Sequence, residues 1–181
     1  MKFHPSIVQT TFQSPLGPMT LAATDQGLAG LWFDGQRHLP PELSGPAQDQ
    51  PQVQSIWRTD ASHPVLRETS RQLADYFAGR RDHFDLPLDL AGGTGFQQAV
   101  WQALLGIAQG ETASYGDIAS RIGKPAAVRA VGAAVGRNPV SIIVPCHRVI
   151  GSNGSLTGYA GGLDRKTALL KLEGALTESM F

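Results

Sequence analysis

The stretch ETASYGDIASRIGKPAAVRAVGAAVG, Glu111 to Gly136, decides how the second half of this chain is read. Ser114 and Asp117 have the spacing of a capping box, in which each side chain satisfies an orphan backbone amide of the other. The signal opens a short helix with Ile118 and Ile122 turned inward. Gly123-Lys124-Pro125 breaks that helix. Ala126 to Gly136 forms a second one from small residues, with Val128, Val131 and Val135 toward the core. Two short helices about a three-residue break make a helix-turn-helix arrangement, although any tight helical hairpin shares the pattern. The small residues permit close helix packing and equally permit the approach of a DNA backbone, with Arg129 the single long side chain.

The charge distribution points the same way. The 181-residue chain carries 15 Lys and Arg against 15 Asp and Glu, a formal net charge of zero. Residues 1–92 hold seven basic and ten acidic side chains, whereas residues 93–181 hold eight basic and five acidic. Between Glu111 and Arg148, Arg121, Lys124, Arg129 and Arg137 add to a basic stripe that reads either as a solvated face or as a footprint for phosphates. At 41% hydrophobic and 17% charged residues, the composition is that of a globular protein. No apolar run reaches transmembrane length and no leader pattern is seen, so a cytoplasmic location and no membrane partner are expected. A lone cysteine forms no intramolecular disulfide, and His4, His38, His63, His83 and His147 are too scattered for a metal cluster. No metal and no cofactor are expected.

Toward the N-terminus, Ile7–Phe12, Met19–Ala23 and Leu28–Phe33 read as a three-stranded meander joined at Ser14–Pro18 and Asp25–Gly27. Residues 35–54 read as a long surface loop. A helix fits His63 to Ala78, with Leu66, Leu73 and Phe77 on one face and Gly79 as its stop, and Phe84–Leu88 reads as one more short strand. This half, residues 1–90, carries no catalytic signature and is read as a scaffold domain. Composition shifts at Leu90–Gly93. Thr94 and Gln97 then form another capping box, opening a helix with Phe96, Val100 and Leu104 inward, and a second domain spans residues 93–176.

The chemistry centres on VPCHR, Val144 to Arg148, which holds the only cysteine. A thiol becomes nucleophilic when a cation, an imidazole or a helix N-terminus favours its thiolate. His147 adjoins Cys146 and can act on it through a water. Pro145 bends the chain after the apolar run Ile142-Ile143-Val144 and can bring the thiol to a pocket edge. A plain buried thiol is the alternative, since free cysteine is among the most buried residue types. The last helix, Leu163 to Glu173, ends on a glutamate, which the helix macrodipole disfavours by roughly 0.3–1 kcal/mol. A residue that breaks a local rule points to a site, and Glu173 is placed to orient His147 in a relay with triad logic.

The run NPVSIIVPCHRVIGSNGSLTGYAGG, Asn138 to Gly162, resembles the active-site segment of O6-alkylguanine-DNA alkyltransferases, the methylated-DNA–protein-cysteine methyltransferases. The resemblance extends back through FQQAVWQALLGIAQGETASYGDIASRIGKPAAVRAVGAAVGRNPV and on to the helix bearing Glu173, covering essentially residues 93–174. The N-terminal half is similar only in its SPLGPMTLA hairpin and YFAG helix end. The resemblance implies an α/β (α+β) protein, with a small ribonuclease-H-like N-terminal domain and a C-terminal winged helix-turn-helix. It also implies DNA repair by direct reversal. The family enters the minor groove of double-stranded DNA and flips out the O6-alkylguanine. Its thiolate takes the alkyl group irreversibly, one turnover per molecule, without a cofactor.

Carried over by residue, the resemblance makes Cys146 the alkyl acceptor, His147 the base acting through water, and Glu173 its orienting partner. Asn138 becomes the hinge that ties the recognition helix to the active-site turn. Arg129 becomes the finger that fills the gap left by the flipped base, flanked by Ala130 and Gly132 on the same helix. Tyr115, after Ser114, presses on the target phosphate and donates to the base. Val149 and the Cys146 carbonyl face the guanine amine, while Tyr159 and Ala160 line the opposite wall. The N-terminal zinc cysteines of some members and the fused phosphotriester domain of others are absent. The expected actor is a monomer, with cooperative assembly on DNA and activity on O4-alkylthymine left open. Two rival readings are a DNA-binding regulator with an inert thiol and a cysteine hydrolase with multiple turnover. The first leaves Pro145–Arg148 and Glu173 unexplained, and the second requires an oxyanion hole that the sequence does not display.

Overall fold

The computed structural model describes residues 1–44 and 57–176. Strands β1 (Val8–Ser14), β2 (Gly17–Thr24) and β3 (Gly27–Phe33) form the antiparallel meander. Gly17 (φ +113°) and Gly27 (φ +145°) hold the backbone conformations that close its two hairpins. Helix α1 (Pro41–Ser44) follows, and β4 (Arg58–Thr59) pairs parallel with β1, giving the order β3-β2-β1-β4. Of the loop expected over residues 35–54, the described part contains α1, and residues 45–54 lie outside the described residues.

Helix α2 (Pro64–Phe77) packs on the sheet, with the His63 ring accepting the Val65 amide and Pro64 at the first helical position, where no amide bond is lost. It buries Leu66, Thr69, Gln72, Leu73 and Tyr76. Phe77, read as an inward residue, is only partly buried, because the step of three from Leu73 aims Tyr76 more directly at the core. The expected strand at Phe84–Leu88 does not form. Leu88 makes one parallel bridge to Leu28, and the ladder stops there because Pro87 has no amide to extend it.

The C-terminal part contains α3 (Gly95–Leu104), β5 (Ala113–Ser114), α4 (Tyr115–Arg121), α5 (Val128–Gly136), a 3-10 turn (Cys146–Arg148), β6 (Val149–Ile150) and α6 (Leu163–Leu172). Both capping boxes form, at Thr94/Gln97 and Ser114/Asp117. Helices α4 and α5 are the helix-turn-helix, both packed on α3, and the Trp101 indole N–H donates to the Ala134 carbonyl at 2.9 Å. Helix α5 begins at Val128 rather than Ala126, since the Ala127 amide closes a turn onto the Lys124 carbonyl. Val128, read as a core residue, is 41% exposed, because the first turn of α5 faces an open cavity. Strands β5 and β6 pair in parallel.

One apolar core runs through both parts, from Leu21, Leu31 and Leu73 to Trp101, Ile118, Val131 and Leu169. Each such side chain contributes about 1.5–3 kcal/mol by leaving water. The join positions the site. On the outer edge of β3, the Leu31 amide donates to the Pro139 carbonyl (2.8 Å) and the Ser141 amide donates to the Leu31 carbonyl (3.0 Å). The sheet edge therefore holds the segment that leads to Cys146. No helix of the described residues is long and apolar enough to cross a membrane.

Candidate active site

The apolar run before Cys146 is not a strand but a series of tight turns. Ile142 has φ +71°, a conformation that costs a β-branched residue of order 1–3 kcal/mol and persists only where its surroundings enforce it. The surroundings are visible. The Val144 amide donates to the Val140 carbonyl at 3.0 Å, and the Asn138 side chain spans the turn. Asn138 Nδ2 donates to the Val144 carbonyl (2.8 Å) and the Val140 carbonyl (3.3 Å), while its Oδ1 accepts the Val140 amide (3.0 Å). Since Asn138 stands two residues past the end of α5, it ties that helix to the turn carrying the thiol.

Cys146 stands at the start of the 3-10 turn with only 5% of its surface exposed. Burial pushes its thiol above the ordinary cysteine range, while the Asn138 amide and the Lys166 ammonium pull it back. Lys166 has no exposed surface. Its Nζ donates to the carbonyls of Val149 (2.6 Å) and Thr157 (2.9 Å), and burial lowers its pKa to about 8. It thereby fastens β6 to the loop opposite and keeps a cation near the sulfur. Lys166 is not singled out in the sequence analysis. The available signal was its spacing of seven from Glu173, which puts both on one helical face with Leu169 and Leu170.

Glu173 caps the C-terminus of α6 and is buried. His147 Nε2 lies 2.8 Å from Glu173 Oε2, and Arg148 clamps the same carboxylate, with Nε 2.8 Å from Oε1 and Nη2 3.0 Å from Oε2. Tyr76 adds its hydroxyl at 2.6 Å from Oε2. Burial alone would raise the Glu173 pKa, but the bonds from His147 and Arg148 outweigh it and bring it down to about 2. The carboxylate is therefore ionised and can only accept, which assigns the His147 proton to Nε2. Nδ1 is left with a free lone pair, and it is a buried atom with no hydrogen-bond partner among the described residues. Burial lowers the pKa of the imidazole despite Glu173, so it stays neutral and able to accept a proton. Tyr76 belongs to the half read as scaffold, and this contact brings it to the site.

Cys146 opens into a cavity of about 390 Å³, walled by Tyr115 and by Val128, Gly132 and Gly136 of α5, with Thr157–Ala160 opposite. The volume suits a single small aromatic ligand. Of the expected residues, Tyr115, Gly132, Tyr159 and Ala160 line this cavity with Cys146, and Thr157 donates its hydroxyl to Tyr115 at 3.1 Å. Val149 is fully buried and does not line the cavity, and its carbonyl is held by Lys166. Arg129 and Ala130 are exposed on α5 and are not among the lining residues. Ser114 is occupied as the N-cap of α4. Arg37 and His38 of the N-terminal part also reach the cavity, a contribution the sequence reading missed.

Two family models match the chain. The 6-O-methylguanine DNA methyltransferase DNA-binding domain covers residues 95–175, and the ribonuclease-like domain of the same proteins covers residues 7–90. A methylated-DNA–protein-cysteine methyltransferase of Methanosarcina acetivorans is 49% identical over 91% of this chain and 96% of its own length. One from Mycobacterium tuberculosis is 49% identical over 90% of each chain. The crystal structure of Mycobacterium tuberculosis OGT in complex with DNA is similar with a TM-score of 0.78 at 48% identity, covering 91% of both chains. On the strength of the two matched domains and these relatives, the chain belongs to the O6-methylguanine-DNA methyltransferase family.

Proposed function

We propose that the protein repairs O6-alkylguanine in double-stranded DNA by moving the alkyl group to Cys146. One observation carries the reading: a buried thiol at the floor of a base-sized cavity, followed in the chain by an imidazole whose far nitrogen is bound to an ionised carboxylate. The Cys146 proton passes through a water to His147 Nδ1, and the resulting imidazolium is stabilised by Glu173. The thiolate forms a bond to the O6-alkyl carbon, the carbon–oxygen bond breaks, its electron pair passes to the departing guanine, which takes a proton on N1 from water, and the imidazolium gives its proton back to solvent. The product thioether has no facile leaving group, so the protein acts once.

The remaining roles are part of the same proposal. Helix α5 enters the minor groove, where its small residues let the backbone approach and Arg129 occupies the place of the flipped nucleotide. Tyr115 bears on the target phosphate and the base. The Ala160 amide serves guanine O6, and the Cys146 carbonyl serves its amine, with Val149 packed behind it. Asn138 holds the thiol turn to α5. We assign DNA contact and the alkyl-accepting thiol to residues 93–176, with residues 1–90 bracing them and adding the Tyr76 contact to Glu173. A cytoplasmic setting fits a mechanism that needs a reduced, unpaired thiol. Peptide mapping after reaction with an O6-methylguanine duplex tests the assignment. A methyl group on the peptide containing Cys146 is expected, and a methyl group elsewhere contradicts it.

A further inference from the structure

We propose that Tyr76, from the N-terminal domain, is a positioning residue that sets the proton affinity of His147 by sharing Glu173 Oε2 with it. The inference rests on the repair reading above and deepens it. Among the described residues, Oε2 receives three donors, Tyr76 Oη (2.6 Å), His147 Nε2 (2.8 Å) and Arg148 Nη2 (3.0 Å), whereas Oε1 receives Arg148 Nε alone (2.8 Å). A hydroxyl donating to a carboxylate oxygen draws negative charge toward itself and weakens what that oxygen offers its other partners. The His147 N–H and the Tyr76 O–H thus compete for one atom. A stronger hold by Glu173 favours the imidazolium, and a weaker hold favours the neutral ring that accepts the thiol proton.

The tyrosine is suited to this task. Burial, followed by Glu173 itself, holds its pKa far above the ordinary range, so it remains a donor at every working pH. Its ring is held independently of the hydroxyl by Phe77 and Phe84, at 5.2 Å and 5.3 Å between centroids. The other charged or titratable groups around the pair are Arg148 and Lys166 beside His147, and Arg148 and Tyr159 beside Tyr76. Removing the Tyr76 hydroxyl takes away none of these charged groups. The contact spans 97 residues of sequence and joins α2 to the end of α6, so it gives the N-terminal domain a direct hand in the chemistry.

The test is an NMR titration of the His147 ring in the unreacted full-length protein, together with the pH profile of alkyl transfer. Tyr76→Phe is expected to raise the His147 midpoint by about one pH unit, since hydrogen bonds to charged groups are of that strength. The acid limb of the transfer rate should move with it. A ring-fluorinated tyrosine at position 76, a stronger donor, should move the midpoint down. In a Glu173→Gln background, Tyr76→Phe should produce no shift. A midpoint unchanged or lowered in Tyr76→Phe, with only reduced thermal stability, overturns the proposal and leaves Tyr76 a packing residue. The titration needs no turnover. Failure of the wild-type protein to accept an alkyl group would count against the repair reading, while the titration still decides the role of Tyr76.

Discussion

His147 Nε2 and Glu173 Oε2 lie 2.8 Å apart with both side chains shut off from solvent, and this pair fixes which ring nitrogen faces the chemistry. The glutamate also neutralises Arg148, so it serves charge balance and tautomer choice at once.

Glu173→Gln should therefore be costly in two ways. Breaking a buried ion pair on one side leaves Arg148 without its counterion, a loss of about 3–5 kcal/mol measured by urea unfolding. Alkyl transfer should slow by about 10²-fold as the base loses its orientation. A transfer rate equal to wild type across the pH range would remove Glu173 from the relay.

Stability should depend on pH through the same group. Glu173 binds its proton more weakly folded than unfolded, so its contribution is complete above the unfolded value of 4.5 and is lost as pH falls toward about 2. A displacement of that size corresponds to about 3 kcal/mol. Lys166 runs at the other end of the scale. Its ammonium is disfavoured in the fold, so stability should rise as pH increases from about 8 toward 10.5. Urea midpoints measured against pH check both, and Glu173→Gln should flatten the acid slope relative to wild type.

Lys166→Met keeps the length of the side chain but withdraws the donor from two buried carbonyls, each of which then costs about 1–3 kcal/mol. It also removes the cation that draws the thiol toward its ionised form. Slower alkylation of Cys146 is expected, by about tenfold or more, since even 1.4 kcal/mol of lost thiolate stabilisation accounts for a factor of ten. Transfer kinetics with a small soluble alkylguanine check this apart from DNA binding.

Arg129 is exposed on α5 and does not line the cavity. Arg129→Ala should slow repair in duplex by about 10²-fold, in line with the few kcal/mol that flipping a base requires. Reaction with free O6-benzylguanine should change little. Equal losses on the two substrates would deny Arg129 its part in flipping.

What could be read from the sequence was mostly local. The capping boxes at Thr94 and Ser114 are complete within four residues, and the helix-turn-helix follows from them. Glu173 was legible because it breaks a local rule at the end of a helix, and the fold resolves the conflict with His147 and Arg148. Tyr76 and Lys166 were not legible as site residues, because what distinguishes them is contact with distant parts of the chain. In sequence, one looks like any stripe residue of an amphipathic helix, and the other shares a face with Leu169 and Leu170 but shows no partner. Val128 shows the opposite error. Its spacing from Val131 fits a buried face, but the first turn of α5 lies against a cavity that no periodicity reveals. The turn holding Ile142 at positive φ was equally hidden, since an apolar run reads as a strand until the Asn138 bonds fold it.

The most direct test of the account is the stoichiometry of transfer. A duplex carrying radiolabelled O6-methylguanine, incubated with limiting protein, should leave one label on each protein molecule and then stop. Cys146→Ala should take up none. Label released to solution over repeated turnovers, or label retained by the Cys146→Ala protein, would contradict the assignment of Cys146 as a single-use alkyl acceptor.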